Sequence, residues 1–237
     1  MKKILLIIGL TIGFMQMAGA IGTMSAVYLN PIGGNDSNAG TLTYPVQSWD
    51  KALSLAADDA TIYLAWGAVP ITSDMTIDGG QYGASNITVA QNSGYTGLLF
   101  AIADGATGTF SNITLKGSGT AHALITVNGG ATLTIGGSVS ITDEGQISLD
   151  GGSNPINLTG TPPSGMKYQI LTAYTSEGRA IVNAGSVSSP LQYFTLVEPA
   201  STAVSAYELA LDGTIIRLYE RAVGGVYIDP SNGDDAN

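Results

Sequence analysis

The residues with the clearest potential for chemistry form a short loop near the start of the chain, Asn35-Asp36-Ser37-Asn38. Carboxylate and amide oxygens in a glycine-flanked loop suit a hard cation such as Ca²⁺. Asn35, Asp36 and Asn38 are therefore candidate calcium ligands. Asn and Asp also shape turns by accepting hydrogen bonds from nearby backbone N–H groups, so a metal-free turn is the alternative. The sequence indicates no other cofactor.

One tryptophan is a candidate for ligand contact. Trp66 follows a predicted strand and is not required by the predicted core. An exposed aromatic ring offers a flat apolar surface to a sugar ring, which makes an extracellular polysaccharide a possible partner. Trp49, by contrast, fits the buried face of a predicted helix.

Candidate catalytic groups are few. His122 lies in a turn before a strand, and a catalytic base needs a positioned partner that the sequence does not provide. Asp143 and Glu144 could form the carboxylate pair of a glycosidase, but adjacent residues in a turn are more simply solvated. Residues 61–160 contain Lys116 as their only basic residue besides His122. No residue is therefore assigned a catalytic role, and the protein is expected not to be an enzyme.

These residues lie on an internally repeated framework. Segments 85–110, 111–135 and 136–160 align, each with short runs that alternate apolar residues with Thr, Ser or Asn. Such alternation is the period-2 pattern of half-buried strands, and the Gly and Asn residues between the runs suit sharp corners. We predict an all-β fold, a parallel β-helix in which Ile102, Val127 and Leu149 stack in one column. An antiparallel sandwich is the alternative.

Both ends of this coil are predicted to be covered. Ser48 is a good N-cap for a helix whose apolar residues fall at helical spacing, and Asp58-Asp59 are expected to end it. Trp49, Leu53 and Ala56 should cap the coil near its first strands. After Gly160 the ladder is broken by a Pro-Pro pair. An antiparallel β-rich closing piece is predicted from four longer strands: 168–172, 193–197, 207–211 and 214–218.

The sequence divides into four parts. Residues 1–20 have the basic start, apolar run and small-residue ending of a signal peptide, so the protein is expected to be secreted or at the cell surface. Residues 21–160 hold the N-terminal cap and β-helix, and residues 161–222 the closing subdomain. Residues 223–237 are expected to start a second tandem module in a longer array.

The tandem expectation comes from a repeated motif. Residues 226–237 align with residues 27–38 at a constant offset of 199 residues, with six of the twelve positions identical. Further positions exchange Leu for Ile or Asn for Asp. Repeats of this kind are typical of arrays. Tandem modules of the same chain are therefore predicted partners.

Composition limits the classes of partner. The net charge is −10, basic residues number 8, and the chain contains no cysteine. An acidic surface offers no electrostatic footprint for nucleic acid or an anionic membrane. No segment after the signal peptide is long and apolar enough to span a bilayer.

The start of the chain resembles the N-terminal region of the pectate-lyase-like superfamily, which includes bacterial surface proteins with tandem modules. The resemblance rests on these residues: Tyr28-Leu29-Asn30-Pro31, Gly34 to Thr41, Pro45, Trp49, Ala52-Leu53 and Thr61 to Leu64. It implies a right-handed parallel β-helix. Enzymes of that group carry clustered Asp with Lys or Arg in a cleft, and residues 61–160 of this chain contain one Lys and no Arg.

The expected function is therefore a non-catalytic extracellular or cell-surface repeat module, adhesin-like or structural, that contacts a polysaccharide or a host or matrix surface. A polysaccharide-binding module is the first alternative. A polysaccharide lyase or glycoside hydrolase of the β-helix class is the second.

Overall fold

The computed structural model describes residues 22–120, 122–151, 156–197 and 207–220. These residues form a parallel β-solenoid of about five turns, in which each complete turn contributes one strand to each of three sheets. The prediction of a parallel β-helix is confirmed, and the antiparallel sandwich is excluded.

The chain begins with β1 (Met24–Leu29) and one short helix, α1 (Trp49–Leu55). Four turns of three strands follow, and the remaining elements form a further partial turn and a hairpin. The first two turns comprise β2 (Ala56–Leu64), β3 (Val69–Ile71), β4 (Met75–Asp78), β5 (Ile87–Gln91), β6 (Phe100–Ile102) and β7 (Thr107–Ser111). The next two comprise β8 (Ile113–Lys116), β9 (His122–Asn128), β10 (Thr132–Ile135), β11 (Val139–Thr142), β12 (Gly145–Asp150) and β13 (Ile156–Leu158). The chain continues through β14 (Tyr168–Thr172), β15 (Ala180–Asn183), the 3₁₀ helix η1 (Pro190–Tyr193), β16 (Phe194–Val197), β17 (Tyr207–Asp212) and β18 (Ile215–Glu220).

The strands assemble into sheets that run along the solenoid axis. Sheet A has the order β1-β2-β5-β8-β11, and sheet B has the order β3-β6-β9-β12-β14-β16. Sheet C has the order β4-β7-β10-β13-β15-β18-β17. All described pairs are parallel except β15 with β18 and β17 with β18. Among the described residues, no helix is long and apolar enough for a membrane crossing.

The core consists of aligned columns, as the repeat predicted. Ile102 pairs with Val127, Val127 pairs with Leu149, and all three side chains are fully buried. An equivalent column in sheet A joins Ile62, Val89, Leu115 and Ile141, and one in sheet C joins Ile77, Phe110, Ile135 and Leu158. Parallel strands about 4.8 Å apart place each side chain directly over its counterpart. No single turn could bury these residues alone.

One corner needs residues that tolerate a positive φ. Equivalent positions in three successive turns are occupied by Asp59, within β2, and by Asn86 and Asn112, directly before β5 and β8; their φ angles are 57°, 56° and 51°. Asp and Asn adopt this left-handed conformation more readily than other non-glycine residues. The repeated tripeptides Asn86-Ile87-Thr88 and Asn112-Ile113-Thr114 therefore each consist of a corner residue followed by the start of a strand.

The N-terminal end of the core is closed by α1. Ser48 accepts a hydrogen bond from the Lys51 N–H, and Trp49 and Leu53 are buried. The Trp49 ring lies edge-on to Phe100, with 5.8 Å between ring centroids. The predicted capping role is confirmed. The helix ends at Leu55, before the expected Asp58-Asp59, because residues from Ala56 onward pair with β1.

The C-terminal part differs from the predicted antiparallel piece. β14 and β16 add parallel strands to sheet B, so the solenoid continues past Gly160. The Pro-Pro pair ends only sheet A, whose last strand, β11, donates from the Ile141 N–H to the Met166 sulfur at 3.3 Å. The antiparallel prediction holds for the β17–β18 hairpin, which turns at Gly213. Apolar alternation cannot distinguish the direction in which a strand pairs.

Candidate functional site

The three candidate calcium ligands organise the loop that contains them. The Asn35 Oδ1 atom accepts a hydrogen bond from the Ser37 N–H at 2.9 Å. The Asp36 Oδ1 atom accepts two, from the N–H groups of Gln47 and Ser48, each at 2.8 Å. Asn38 donates from Nδ2 to the Pro45 carbonyl at 2.9 Å. The side chains therefore fasten the loop to the segment that leads into α1.

This arrangement favours the turn-forming interpretation. The hydrogen bond from the Ser48 backbone is the main reason that the pKa of Asp36 is lowered. Within the described ranges, no three His, Cys, Asp or Glu side chains are grouped as metal ligands would be. Calcium binding by Asn35, Asp36 and Asn38 stays a prediction, tested by titrating the protein with Ca²⁺ in a calorimeter.

Trp66 lies on the surface near the same loop. Its side chain is 63% exposed, and that of Ile32, in the loop, is 70% exposed. A Cβ atom added to Gly67 would lie 2.6 Å from the Ile32 Cδ1 atom, so Ile32 packs directly over this glycine. The fold thus brings Trp66 into the neighbourhood of the N-terminal loop, a proximity that sequence spacing did not predict.

His122 has structural partners on both ring nitrogens. Its Nε2 atom lies 2.6 Å from the Gln91 Nε2 atom, and its Nδ1 atom lies 2.5 Å from the Thr120 carbonyl oxygen. An amide nitrogen only donates, so His122 Nε2 is the acceptor and Nδ1 carries the proton. Gln91 also donates to the Gly97 carbonyl. His122 therefore helps to hold the loop after β5.

Asp143 and Glu144 form an exposed corner. Both have a positive φ, 53° and 59°, and they connect β11 to β12. Asp143 lies 3.6 Å from the Lys116 ammonium in a surface ion pair. This geometry matches the solvated-turn interpretation of the pair.

Other aspartates join successive turns of the solenoid. Asp58, Asp74 and Asp104 each accept a hydrogen bond from a backbone N–H of the next turn, at Ser85, Thr107 and Gly130 respectively. Two more aspartates accept from side chains of the next turn: Asp59 from Asn86, and Asp78 from Asn112. We call these five residues the inter-turn aspartates. Their carboxylates serve the stacking of the coil.

A polar groove lies along sheet C in the C-terminal half. It encloses about 580 Å³ and has no charged side chain in its lining. Thr134, Asn157 and Asn183 form one outward-facing column across three turns. Thr159, Thr161 and Ser186 lie along its side. The groove presents neutral hydroxyl and amide groups, and Trp66 is not among its lining residues.

A buried cation was missed from the sequence. Arg179 is 6% exposed and donates to the Tyr174 carbonyl at 2.8 Å, to the Thr172 hydroxyl at 2.6 Å and to the Gly151 carbonyl. Burial lowers its pKa. It fastens the corner after β14 to the corner of the preceding turn. No local signal marks a lone arginine for this role, since its acceptors come from two turns.

Comparisons of the chain with models of protein families, with curated proteins and with solved structures found no match.

Proposed function

We propose that the protein is a non-catalytic, secreted or cell-surface repeat module, adhesin-like or structural in role. The resemblance to the pectate-lyase-like superfamily supports this proposal at the level of the fold alone. The leader-like residues 1–20 support export. The observation that carries the proposal is which residues the second copy of the start motif, 226–237, shares with the first copy, 27–38.

The second copy keeps the groups on which the first copy depends. Asp36 and Asn38, which fasten the loop, correspond to Asp235 and Asn237. Gly34, whose added Cβ would lie 2.2 Å from the Val46 carbonyl oxygen, corresponds to Gly233.

Two of the six exchanges keep the same hydrogen-bonding chemistry. Asn30 and Asn35 each accept a backbone hydrogen bond through Oδ1, and their counterparts Asp229 and Asp234 offer the same acceptor. The exposed Ile32 becomes Ser231. A sequence that keeps loop-forming groups and varies an exposed one is what a second module start requires.

A motif exchange tests this proposal. Residues 27–38 are replaced by the sequence of residues 226–237, and unfolding in urea is followed by circular dichroism. We expect the free energy of unfolding to change by about 1 kcal/mol or less, as for substitutions that keep the special interactions. In a control, the aspartate at position 36 of the exchanged chain is replaced by alanine. This control should lose about 1 kcal/mol more of its free energy of unfolding, because two backbone N–H groups lose their acceptor. Failure of the exchanged chain to fold would refute the tandem-module proposal.

Export is tested separately. The full chain is expressed in a bacterial host, and the fractions are analysed by mass spectrometry. We expect a mature protein that begins at Ile21 outside the cytoplasm. Retention of the uncleaved chain in the cytoplasm would contradict the proposed localisation.

Polysaccharide binding is a second candidate, supported by the neutral groove on sheet C. Hydroxyl and amide groups hydrogen-bond sugar hydroxyls without needing an ionised ligand, and the volume lies within the range of about 300–1,000 Å³ typical of ligand sites. Binding of neutral and acidic glycans is measured by calorimetry. Asn157→Ala should weaken binding if the groove is the site, whereas Trp66→Ala should weaken it if the exposed ring is the site. Turnover of any glycan, followed by a reducing-end assay, would instead favour a lyase or hydrolase.

A further inference from the structure

Among the described residues, the exposed large apolar ones fall into two groups, one toward each end of the solenoid. In the described part of the chain, none occurs between residues 67 and 173. The N-terminal patch comprises Ile32, Leu42, Tyr44 and Trp66. The C-terminal patch comprises Tyr174, Leu191 and Leu211. Single exposed apolar residues are common, but exclusion from a long middle and concentration at both ends indicates contact surfaces.

The N-terminal patch lies at the limit of sheet A. The segment that contains Leu42 and Tyr44 runs beyond β1, where Val46 bridges to Leu29 and the Tyr28 N–H donates to the Gly40 carbonyl. The side chains of Leu42 and Tyr44 are more than half exposed there. The end of the solenoid therefore presents apolar surface although α1 already covers the core.

The C-terminal patch continues the core itself. The column that joins Leu133, Ile156 and Val182 extends through Ile216 to Leu211 on β17. Leu211 is the last residue of this column and is 42% exposed. β17 is also the edge strand of sheet C, so its outer backbone groups can pair with another strand. Among the described residues, no α-helix covers this end as α1 covers the other.

We propose that the C-terminal patch of one copy of this chain docks on the N-terminal patch of a second copy. The inference rests on the proposed tandem-module function, because the sequence places a second start motif directly after the terminal hairpin. A contact between two different patches does not close on itself and extends into open chains. Both ends carry acidic residues that are at least partly exposed, such as Asp36 and Asp58 at one and Glu208 and Glu220 at the other, so salt should strengthen the contact by screening repulsion.

The test is analytical ultracentrifugation of the full mature chain from 1 µM to 1 mM in low and high salt. We expect assemblies that lengthen with concentration and form more readily in high salt. Trp66→Glu and Leu211→Glu should each weaken self-association at least tenfold. Thr114→Glu, which adds the same charge on the polar middle of sheet A, should leave it unchanged. Circular dichroism confirms that each variant is folded.

Mixing the two patch variants identifies the polarity of the contact. The Trp66→Glu chain keeps an intact C-terminal patch, and the Leu211→Glu chain keeps an intact N-terminal patch, so an equimolar mixture should form dimers and nothing longer. Association of either variant alone would show a like-to-like contact and overturn the proposal. A wild-type chain that stays monomeric at 1 mM in high salt would also overturn it. Either result would leave the motif-exchange test of the proposed function unaffected.

Discussion

The two ends of the solenoid close the same core in different ways. At the N-terminal end, α1 crosses the stacked columns and buries Trp49 and Leu53 against them. At the C-terminal end, the β17–β18 hairpin extends sheet C and leaves Leu211 partly exposed. A helix satisfies its own backbone and ends the ladder, whereas an added strand moves the open edge outward by one strand. The closing element therefore decides whether an end of the solenoid still offers an open strand edge for pairing.

Polar contacts reinforce the C-terminal end where apolar cover is incomplete. The buried Tyr168 hydroxyl donates to the Val139 carbonyl at 2.8 Å, on the last strand of sheet A. Burial raises the pKa of this tyrosine, so it stays a donor across the ordinary pH range. Arg179 joins the last turn to the preceding one. Specific hydrogen bonds thus perform at one end the task that apolar packing performs at the other.

The sharpest test introduces the same charge at both ends. Leu53→Asp places an unpaired carboxylate in the buried contact between α1 and the core, and should lower the free energy of unfolding by more than about 4 kcal/mol or prevent folding. Leu211→Asp at the partly exposed edge should cost about 1 kcal/mol or less, as is usual for exposed positions. Urea unfolding measures both. Equal losses would mean that the hairpin closes the core as fully as the helix does.

Truncation of the capping aromatic should have the next largest effect. Trp49→Ala removes the ring that packs on Phe100, and should cost about 3–5 kcal/mol. Trp49→Phe is the matched control, because the Trp49 indole N–H is buried without a partner in the described structure. The phenylalanine variant should stay within about 1.5 kcal/mol of the wild type. A large loss for phenylalanine would indicate that the indole N–H has a role.

Removal of the C-terminal clamp should follow in size. Arg179→Ala leaves the carbonyls of Gly151 and Tyr174 without this donor, and should cost about 2–4 kcal/mol, since each unsatisfied buried polar group costs about 1–3 kcal/mol. Lys116→Ala, which breaks the exposed ion pair with Asp143, is the control and should cost about 1 kcal/mol or less. Hydrogen exchange should show faster opening of β14 and β15 in the first variant only.

The smallest expected effect concerns Asp36 and depends on pH. Its folded-state pKa is lowered, so the ionised carboxylate stabilises the fold above its unfolded pKa of about 4. This contribution is lost as the pH falls through the folded pKa. Asp36→Ala removes the acceptor of two backbone hydrogen bonds and should cost about 1 kcal/mol at pH 7, and the difference from the wild type should shrink at pH 3. Asp36→Asn, which keeps an acceptor, should cost less at pH 7. A difference that grows at pH 3 would contradict this account.

The middle of the molecule was predictable because each turn repeats the same local signals. Alternating apolar residues, with Asn86 and Asn112 at the corners, define one turn, and the next turn confirms the spacing. Ser48 marked the helix start for the same reason, since N-capping is local. The predicted helix end, at Asp58-Asp59, was wrong because the residues from Ala56 onward pair with β1, and this pairing overrides helical periodicity.

The sequence carried less information about the ends and the site. The direction of β14 and β16 depends on strands far away in the sequence, which alternation does not encode. Arg179 and His122 acquire their roles from acceptors and donors on other turns. The roles of Asn35, Asp36 and Asn38 were open between two chemistries, and the position of backbone N–H groups from residues 47 and 48 decided which groups the Asp36 carboxylate meets.

The inter-turn aspartates have a direction. In all five cases the acceptor lies earlier in the chain, and its donor lies on the turn that follows. If the chain emerges from a translocation channel with its N-terminus first, the first two turns of the solenoid, which hold all five residues, display carboxylates that await the next turn. We expect growth of the folded coil to be vectorial, so that it draws the emerging chain outward and opposes backsliding. Nascent chains arrested after residue 120 should therefore already resist protease, whereas N-terminally shortened chains of equal length should not.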